Sequence, residues 1–81
     1  MEKTALHDEI VRIIAELFEI DPARITPDAQ LYTDLEIDSI DAVDMAAELK
    51  TLVGKKISPE DFKQVRSVQD VVDAVYKLQQ N

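Results

Sequence analysis

The chain has 81 residues, enough for one small domain, residues 1–81, with a modest core. It contains no cysteine and a single histidine, which excludes disulfide bonds, cysteine-ligated metal centres and a thiol nucleophile of its own. With 17 acidic and 9 basic residues its formal charge is −8, so nucleic acid and anionic membranes would repel it and basic protein surfaces would attract it.

No stretch reaches the roughly 18 apolar residues of a membrane-spanning helix, and the N-terminus lacks the pattern of a targeting segment. We therefore expect a cytoplasmic protein. Glycine occurs once, and the apolar residues recur at steps of three and four. This pattern predicts an all-α fold, a small four-helix bundle with three main helices plus one short helix and a long loop between helices one and two.

The first predicted helix runs from Lys3 to Phe18, with one apolar stripe that consists of Leu6, Ile10, Ile13, Ile14 and Leu17. A long loop over residues 19–37 follows, and a loop of this length must be tied down by buried side chains. Its expected anchors are Ile20, Ile25, Leu31, Leu35 and Ile37. Tyr32 is expected to add a half-buried ring.

The second predicted helix runs from Ser39 to Val53, with Gly54 as its C-cap, and carries two apolar stripes. The stripe that suits the core consists of Met45, Ala46, Leu49, Leu52 and Val53. The other consists of Ile40, Val43 and Ala47 and has an acidic rim of Asp41, Asp44 and Glu48. The second stripe indicates an interaction surface, unless the long loop simply covers it.

Two further helices are predicted near the C-terminus. A short one covers residues 59–65, with Ser58 as its N-cap, and the last one covers residues 68–78, with Ser67 as its N-cap.

Ser39 begins the second predicted helix within Asp38-Ser39-Ile40-Asp41. A serine at this position either caps the helix by accepting a backbone N–H or presents its hydroxyl to a partner enzyme at an exposed corner. Asp38 is an equally good cap and would free the serine, while Asp41 suits the positive end of the helix dipole. Both roles stay open from these residues alone.

Two other kinds of chemistry fit the same region poorly. Asp34, Glu36 and Asp38 alternate like the start of a calcium-binding loop, but the sixth position holds Ser39 instead of glycine and the twelfth lacks the required glutamate. A nucleophilic Ser39 paired with His7 is arithmetically possible, yet a domain this small has no room for a substrate cleft beside its core.

The run DLEIDSIDAV at residues 34–43 resembles the phosphopantetheine attachment site of acyl carrier proteins. The resemblance extends to TPDAQL at 26–31, ISPED at 57–61 and VRSVQDVV at 65–72, and so covers essentially the whole chain. It implies that Ser39 accepts 4′-phosphopantetheine from coenzyme A, added by a phosphopantetheinyl transferase (holo-carrier synthase) with Mg²⁺. We expect no metal site in the chain itself.

The resemblance implies a non-catalytic carrier that holds acyl intermediates as thioesters in fatty-acid or related lipid or secondary-metabolite biosynthesis. Its partners would be acyl-transferring, ketosynthase-type or acyl-activating enzymes with basic docking surfaces, and the carrier is expected to be a monomer. Positions that contact such partners match Asp38, Ile40, Asp41, Val43, Asp44, Ala47 and Glu48. In the fatty-acid type the acyl chain would lie in the bundle interior, lined here by Ala46, Leu49, Phe62 and Val72.

Four positions depart from the family pattern. Glu36 stands where glycine is usual, which predicts either a different backbone turn or an added acidic contact. Ala47 replaces a larger apolar residue, often methionine, and Lys50 and Thr51 replace acidic ones. These departures suggest a specialised carrier rather than the general carrier of fatty-acid synthesis.

Three alternatives remain beside an acyl carrier. Peptidyl carriers commonly show Gly-Gly where this chain has Glu36-Ile37, and a polyketide-type carrier stays open. From another class, a cofactor-free helical interaction module would use Ser39 only as a cap.

Overall fold

A computed structural model describes residues 2–54, 57 and 65–80 of the chain. Three helices, α1 (Lys3–Phe18), α2 (Ser39–Val53) and α3 (Val68–Gln80), pack against one another, and a 3₁₀ turn, Pro22–Arg24, follows α1. The all-α prediction is confirmed, and α1 and α2 have the predicted bounds. Helix α3 continues two residues beyond its predicted end, and the short helix expected over 59–65 lies outside the described residues except for Val65.

The core forms where the apolar stripes of the three helices meet. Nine large side chains are almost completely buried: Leu6, Ile10, Ile14, Met45, Leu49, Val68, Val71, Val72 and Val75. Each contributes about 1.5–3 kcal/mol by leaving water, so most of the stabilisation comes from these stripes. Leu17, in the last turn of α1, is instead 36% exposed. Within the described part of the chain, no helix combines the length and the apolar composition that a membrane span requires.

The long loop is fastened to the start of α3. Leu31 N donates to the carbonyl oxygen of Arg66 at 2.8 Å, Val68 N donates to that of Ala29 at 3.0 Å, and Gln30 forms an isolated antiparallel bridge with Ser67. Of the expected anchors, Ile25, Leu31, Leu35 and Ile37 are buried and Ile20 is partly buried. These contacts therefore fix the position at which the loop ends and α2 begins.

Helix α3 is capped as predicted. Ser67 Oγ accepts a hydrogen bond from Asp70 N at 3.2 Å, and Asp70 Oδ2 accepts from the backbone N–H groups of Ser67 and Arg66, both at 3.1 Å. The backbone hydrogen bonds lower the pKa of Asp70 because they favour its charged form. The bond from Ser67 has the largest effect and the bond from Arg66 the next largest.

Candidate functional site

Asp38, and not Ser39, caps α2. Asp38 Oδ1 accepts hydrogen bonds from the backbone N–H groups of Ile40 and Asp41, both at 3.0 Å. Asp41 Oδ2 in turn accepts from Asp38 N at 3.4 Å, which completes a reciprocal capping box. Two of the helix's free N–H groups are thereby satisfied without the serine.

Ser39 is the first residue of α2, and its side chain is exposed. Its hydroxyl forms no hydrogen bond within the part of the chain that the structure describes. The N-terminus of a helix carries partial positive charge and favours bound anions such as phosphate. The Ser39 hydroxyl, which forms no such hydrogen bond, is therefore available to form a phosphate ester.

A groove of about 830 Å³ borders Ser39. Its described lining comes from α2 between Ser39 and Lys50, from the loop before α2 and from the segment before α3. Apolar side chains line much of it: Leu31, Ile37, Val43, Met45, Ala46, Ile57 and Val65. The groove is therefore suited to an apolar chain that begins near Ser39.

The residues expected to shelter an acyl chain divide between the groove and the core. Ala46 lines the groove, whereas Leu49 and Val72 are buried core residues that are absent from its described lining. Phe62 lies outside the described residues.

The second apolar stripe of α2 remains open to solvent. Ile40 is 74% exposed and Val43 is 60% exposed, so the loop does not cover them. The remaining positions expected to contact partners are exposed except for Asp41, which is partly buried; they are Asp38, Asp44, Ala47 and Glu48. The structure thus displays the acidic and apolar residues together on the outward side of α2, opposite the buried Met45 and Leu49.

Glu36 adopts the left-handed backbone conformation, with φ of 57°. Glycine reaches this region without steric cost, whereas a residue with a Cβ does not. The side chain of Glu36 is exposed. The backbone at position 36 therefore has the conformation that glycine favours, although glutamate occupies it. The Glu36 side chain adds a carboxylate three residues before Ser39.

Tyr32 differs from its expectation, because its ring is 73% exposed instead of half-buried. Leu31 and Leu35 occupy the inward positions of this turn and leave Tyr32 on its outer side. No sequence signal indicates this exposure, since an apolar-rich loop predicts only that some of its residues are anchors.

His7 and Ser39 belong to different helices, α1 and α2, and no hydrogen bond joins them within the described residues.

Residues 8–75, which include Ser39, match the model of a protein family described as the phosphopantetheine attachment site. The chain is 50% identical over 78 residues to acyl carrier protein 2 of Ralstonia nicotianae, and the alignment covers 96% of each chain. It is 32% identical over 75 residues to the acyl carrier protein of Coprothermobacter proteolyticus, covering 93% of this chain and 92% of the relative. It is 39% identical over 77 residues to the meromycolate extension acyl carrier protein of Mycobacterium tuberculosis, covering 90% of this chain and 67% of the relative.

Proposed function

Because this chain belongs to the acyl carrier protein family, whose members carry covalently attached 4′-phosphopantetheine, we propose that Ser39 is its attachment residue. The observation that supports this most strongly is the division of tasks at the start of α2. Asp38 satisfies the helix end, and the exposed Ser39 hydroxyl has no partner among the described residues. We propose further that residues 1–81 act as one carrier domain.

The residues around Ser39 fit the prosthetic group. When bound, the group supplies a thiol on a flexible arm, which a chain without cysteine lacks. Ser39 Oγ offers the oxygen for the ester, and the N-terminus of α2 favours the phosphate charge. The apolar groove beside Ser39 offers an acyl chain a place out of water.

The outward side of α2 is proposed as the docking face for partner enzymes. It joins exposed Ile40 and Val43, with Ala47 further along the helix, to the acidic rim of Asp41, Asp44 and Glu48, and Asp38 adds a carboxylate at the start of the helix. Such a face suits enzymes with a basic rim around an apolar contact, and charge attraction makes the complexes fast to form and sensitive to salt.

The partners in this proposal are the phosphopantetheinyl transferase and acyl-transferring or ketosynthase-type enzymes. The chain acts as their substrate and not as a catalyst. Its cytoplasmic location and monomeric state stay predictions.

The C-terminal half of α2 favours a specialised carrier. Ala47, Lys50 and Thr51 are all exposed, so each can alter the surface that a partner meets. Relatives of this chain include a carrier named for meromycolate extension. A smaller contact at Ala47 and a positive charge at Lys50 would weaken binding to an enzyme whose surface there is apolar and basic.

The double variant Ala47→Met/Lys50→Glu tests this specialisation. We expect it to raise kcat/KM with enzymes of general fatty-acid synthesis, because it adds an apolar contact and removes a repelled charge. Lys77→Glu, the same charge change on α3, is the matched control and should leave kcat/KM unchanged. Equal kinetics for the double variant and the wild type would contradict the specialised role.

Attachment itself is tested by intact mass after incubation with coenzyme A, Mg²⁺ and a broad-specificity phosphopantetheinyl transferase. The wild type should gain one phosphopantetheine and Ser39→Ala none. A folded wild-type protein that gains no mass would favour the alternative of a cofactor-free interaction module.

A further inference from the structure

Tyr32 is a large exposed side chain with no structural task in the described part of the chain. Its ring is 73% exposed, about as much as Ile40 on the docking face. Exposed apolar side chains that occur singly are ordinary, but tyrosine is enriched at the centres of protein interfaces, where its ring gives a large contact at low entropic cost.

The turn that carries Tyr32 is held in place by backbone and side-chain hydrogen bonds. Ile37 N donates to the carbonyl oxygen of Leu31 at 2.7 Å, and Gln30 N donates to Asp34 Oδ2 at 2.7 Å. Arg24 Nη2 donates to the carbonyl oxygen of Asp34 at 2.9 Å. Little backbone freedom would therefore be lost when a partner contacts this turn, which lowers the entropic cost of binding.

Tyr32 and Ser39 both line the same groove. The docking face on α2 extends from Ser39 in one direction only, about 14 Å to Glu48 at 1.5 Å per residue. A specific interface covers about 800 Å² per partner, a patch about 30 Å across. An enzyme centred on Ser39 therefore also covers residues beyond the N-terminal end of α2, and the turn with Tyr32, which lines the same groove as Ser39, is the segment that we expect it to meet.

We propose that Tyr32 is a docking contact for the enzyme that loads Ser39, and that this enzyme meets the tyrosine ring with an apolar surface. Exposed Glu36, in the same turn, supplies a polar rim to this contact. The loading enzyme thus contacts the carrier at two places, on α2 and on the turn that precedes it. This inference rests on the proposed function of Ser39.

Steady-state loading kinetics with a broad-specificity phosphopantetheinyl transferase and saturating coenzyme A test the contact. Tyr32→Ser should raise KM for the carrier about fivefold or more, the loss typical of an interface anchor, with kcat within about twofold because Ser39 is untouched. Tyr32→Phe keeps the ring and should restore KM to near the wild-type value. Thermal midpoints should stay unchanged, since Tyr32 buries little on folding.

Two further variants separate the possible failures. Leu17→Ala truncates an exposed apolar residue on α1 and should leave KM unchanged, whereas Ile40→Ala on the docking face should raise it. A wild-type KM for Tyr32→Ser beside a raised KM for Ile40→Ala would overturn the Tyr32 contact and leave the proposed function intact. Absence of any loading of the wild type would overturn the proposed function and this inference with it.

Discussion

Adjacent side chains at the start of α2 have different tasks. The Asp38 carboxylate accepts two backbone hydrogen bonds, and the Ser39 hydroxyl next to it accepts none among the described residues. Both residues are good helix caps by type, so the sequence left their roles open. The geometry decides the cap, because only Asp38 precedes the first turn with the extended backbone that an N-cap requires.

Glu36 offers a prediction at the same scale. Glu36→Gly should raise the free energy of unfolding by about 0.5–1 kcal/mol. Removal of the Cβ relieves the strain of the left-handed backbone conformation at this position. This gain exceeds the entropic cost of the more flexible unfolded chain that glycine produces. Denaturant unfolding at pH 7 measures this difference.

Glu36→Ala is the matched control for the side-chain charge. Alanine keeps the Cβ and hence the backbone cost, so its free energy of unfolding should stay close to that of the wild type. If alanine stabilised the protein as much as glycine does, charge repulsion and not backbone conformation would be the cause.

At the scale of elements, helix periodicity was the most reliable signal. The stripes of α1 and α2 predicted both helices with their bounds, because their buried residues follow the 3.6-residue period. The turn before α2 has no such period, and the prediction of a half-buried Tyr32 is wrong. Tyr32 points outward because its neighbour Leu31 is buried, and the backbone hydrogen bond from Leu31 N to the carbonyl oxygen of Arg66 is a contact between distant parts of the chain that no local pattern encodes.

The cap of α3 predicts a pH dependence. The pKa of Asp70 is lowered in the folded protein, so its stabilising contribution is present above its unfolded-state pKa, about 4, and is lost as the pH falls through the lower folded-state value. Asp70→Ala should cost about 1 kcal/mol at pH 7, and this difference from the wild type should shrink below about pH 4.

Free energies of unfolding from denaturant titrations between neutral and acidic pH measure this effect. Asp28→Ala is the control, because the Asp28 side chain is exposed and forms no hydrogen bond within the described residues. A cost of Asp70→Ala that stayed constant down to pH 3, well below the usual aspartate pKa of about 3.9, would show that the carboxylate charge has no part in the cap.

At the scale of the whole molecule, the charge of −8 acts on folding and on docking in opposite directions. The ion pairs of the described residues, Lys3–Asp73, Arg12–Glu9 and Arg12–Glu16, are exposed and offset little of the repulsion among carboxylates. Screening should therefore stabilise the free carrier while it weakens attraction to basic partners.

Raising the ionic strength from about 0.01 M to about 0.1 M, which shortens the Debye length from about 30 Å to about 10 Å, should raise both the thermal midpoint and the KM for loading. Calorimetry and loading kinetics on the same samples measure the two effects. A midpoint that falls with salt would mean that attractive pairs outweigh repulsion in the folded protein.

The most direct test of the account compares Ser39→Ala with Asp38→Ala in both stability and loading. Ser39→Ala should unfold within about 0.5 kcal/mol of the wild type and gain no phosphopantetheine in the intact-mass measurement. Asp38→Ala should lose about 1–2 kcal/mol with its cap and still gain one adduct. A Ser39→Ala protein that is loaded, or that loses as much stability as Asp38→Ala, would contradict the assignment of Ser39 as the free attachment residue.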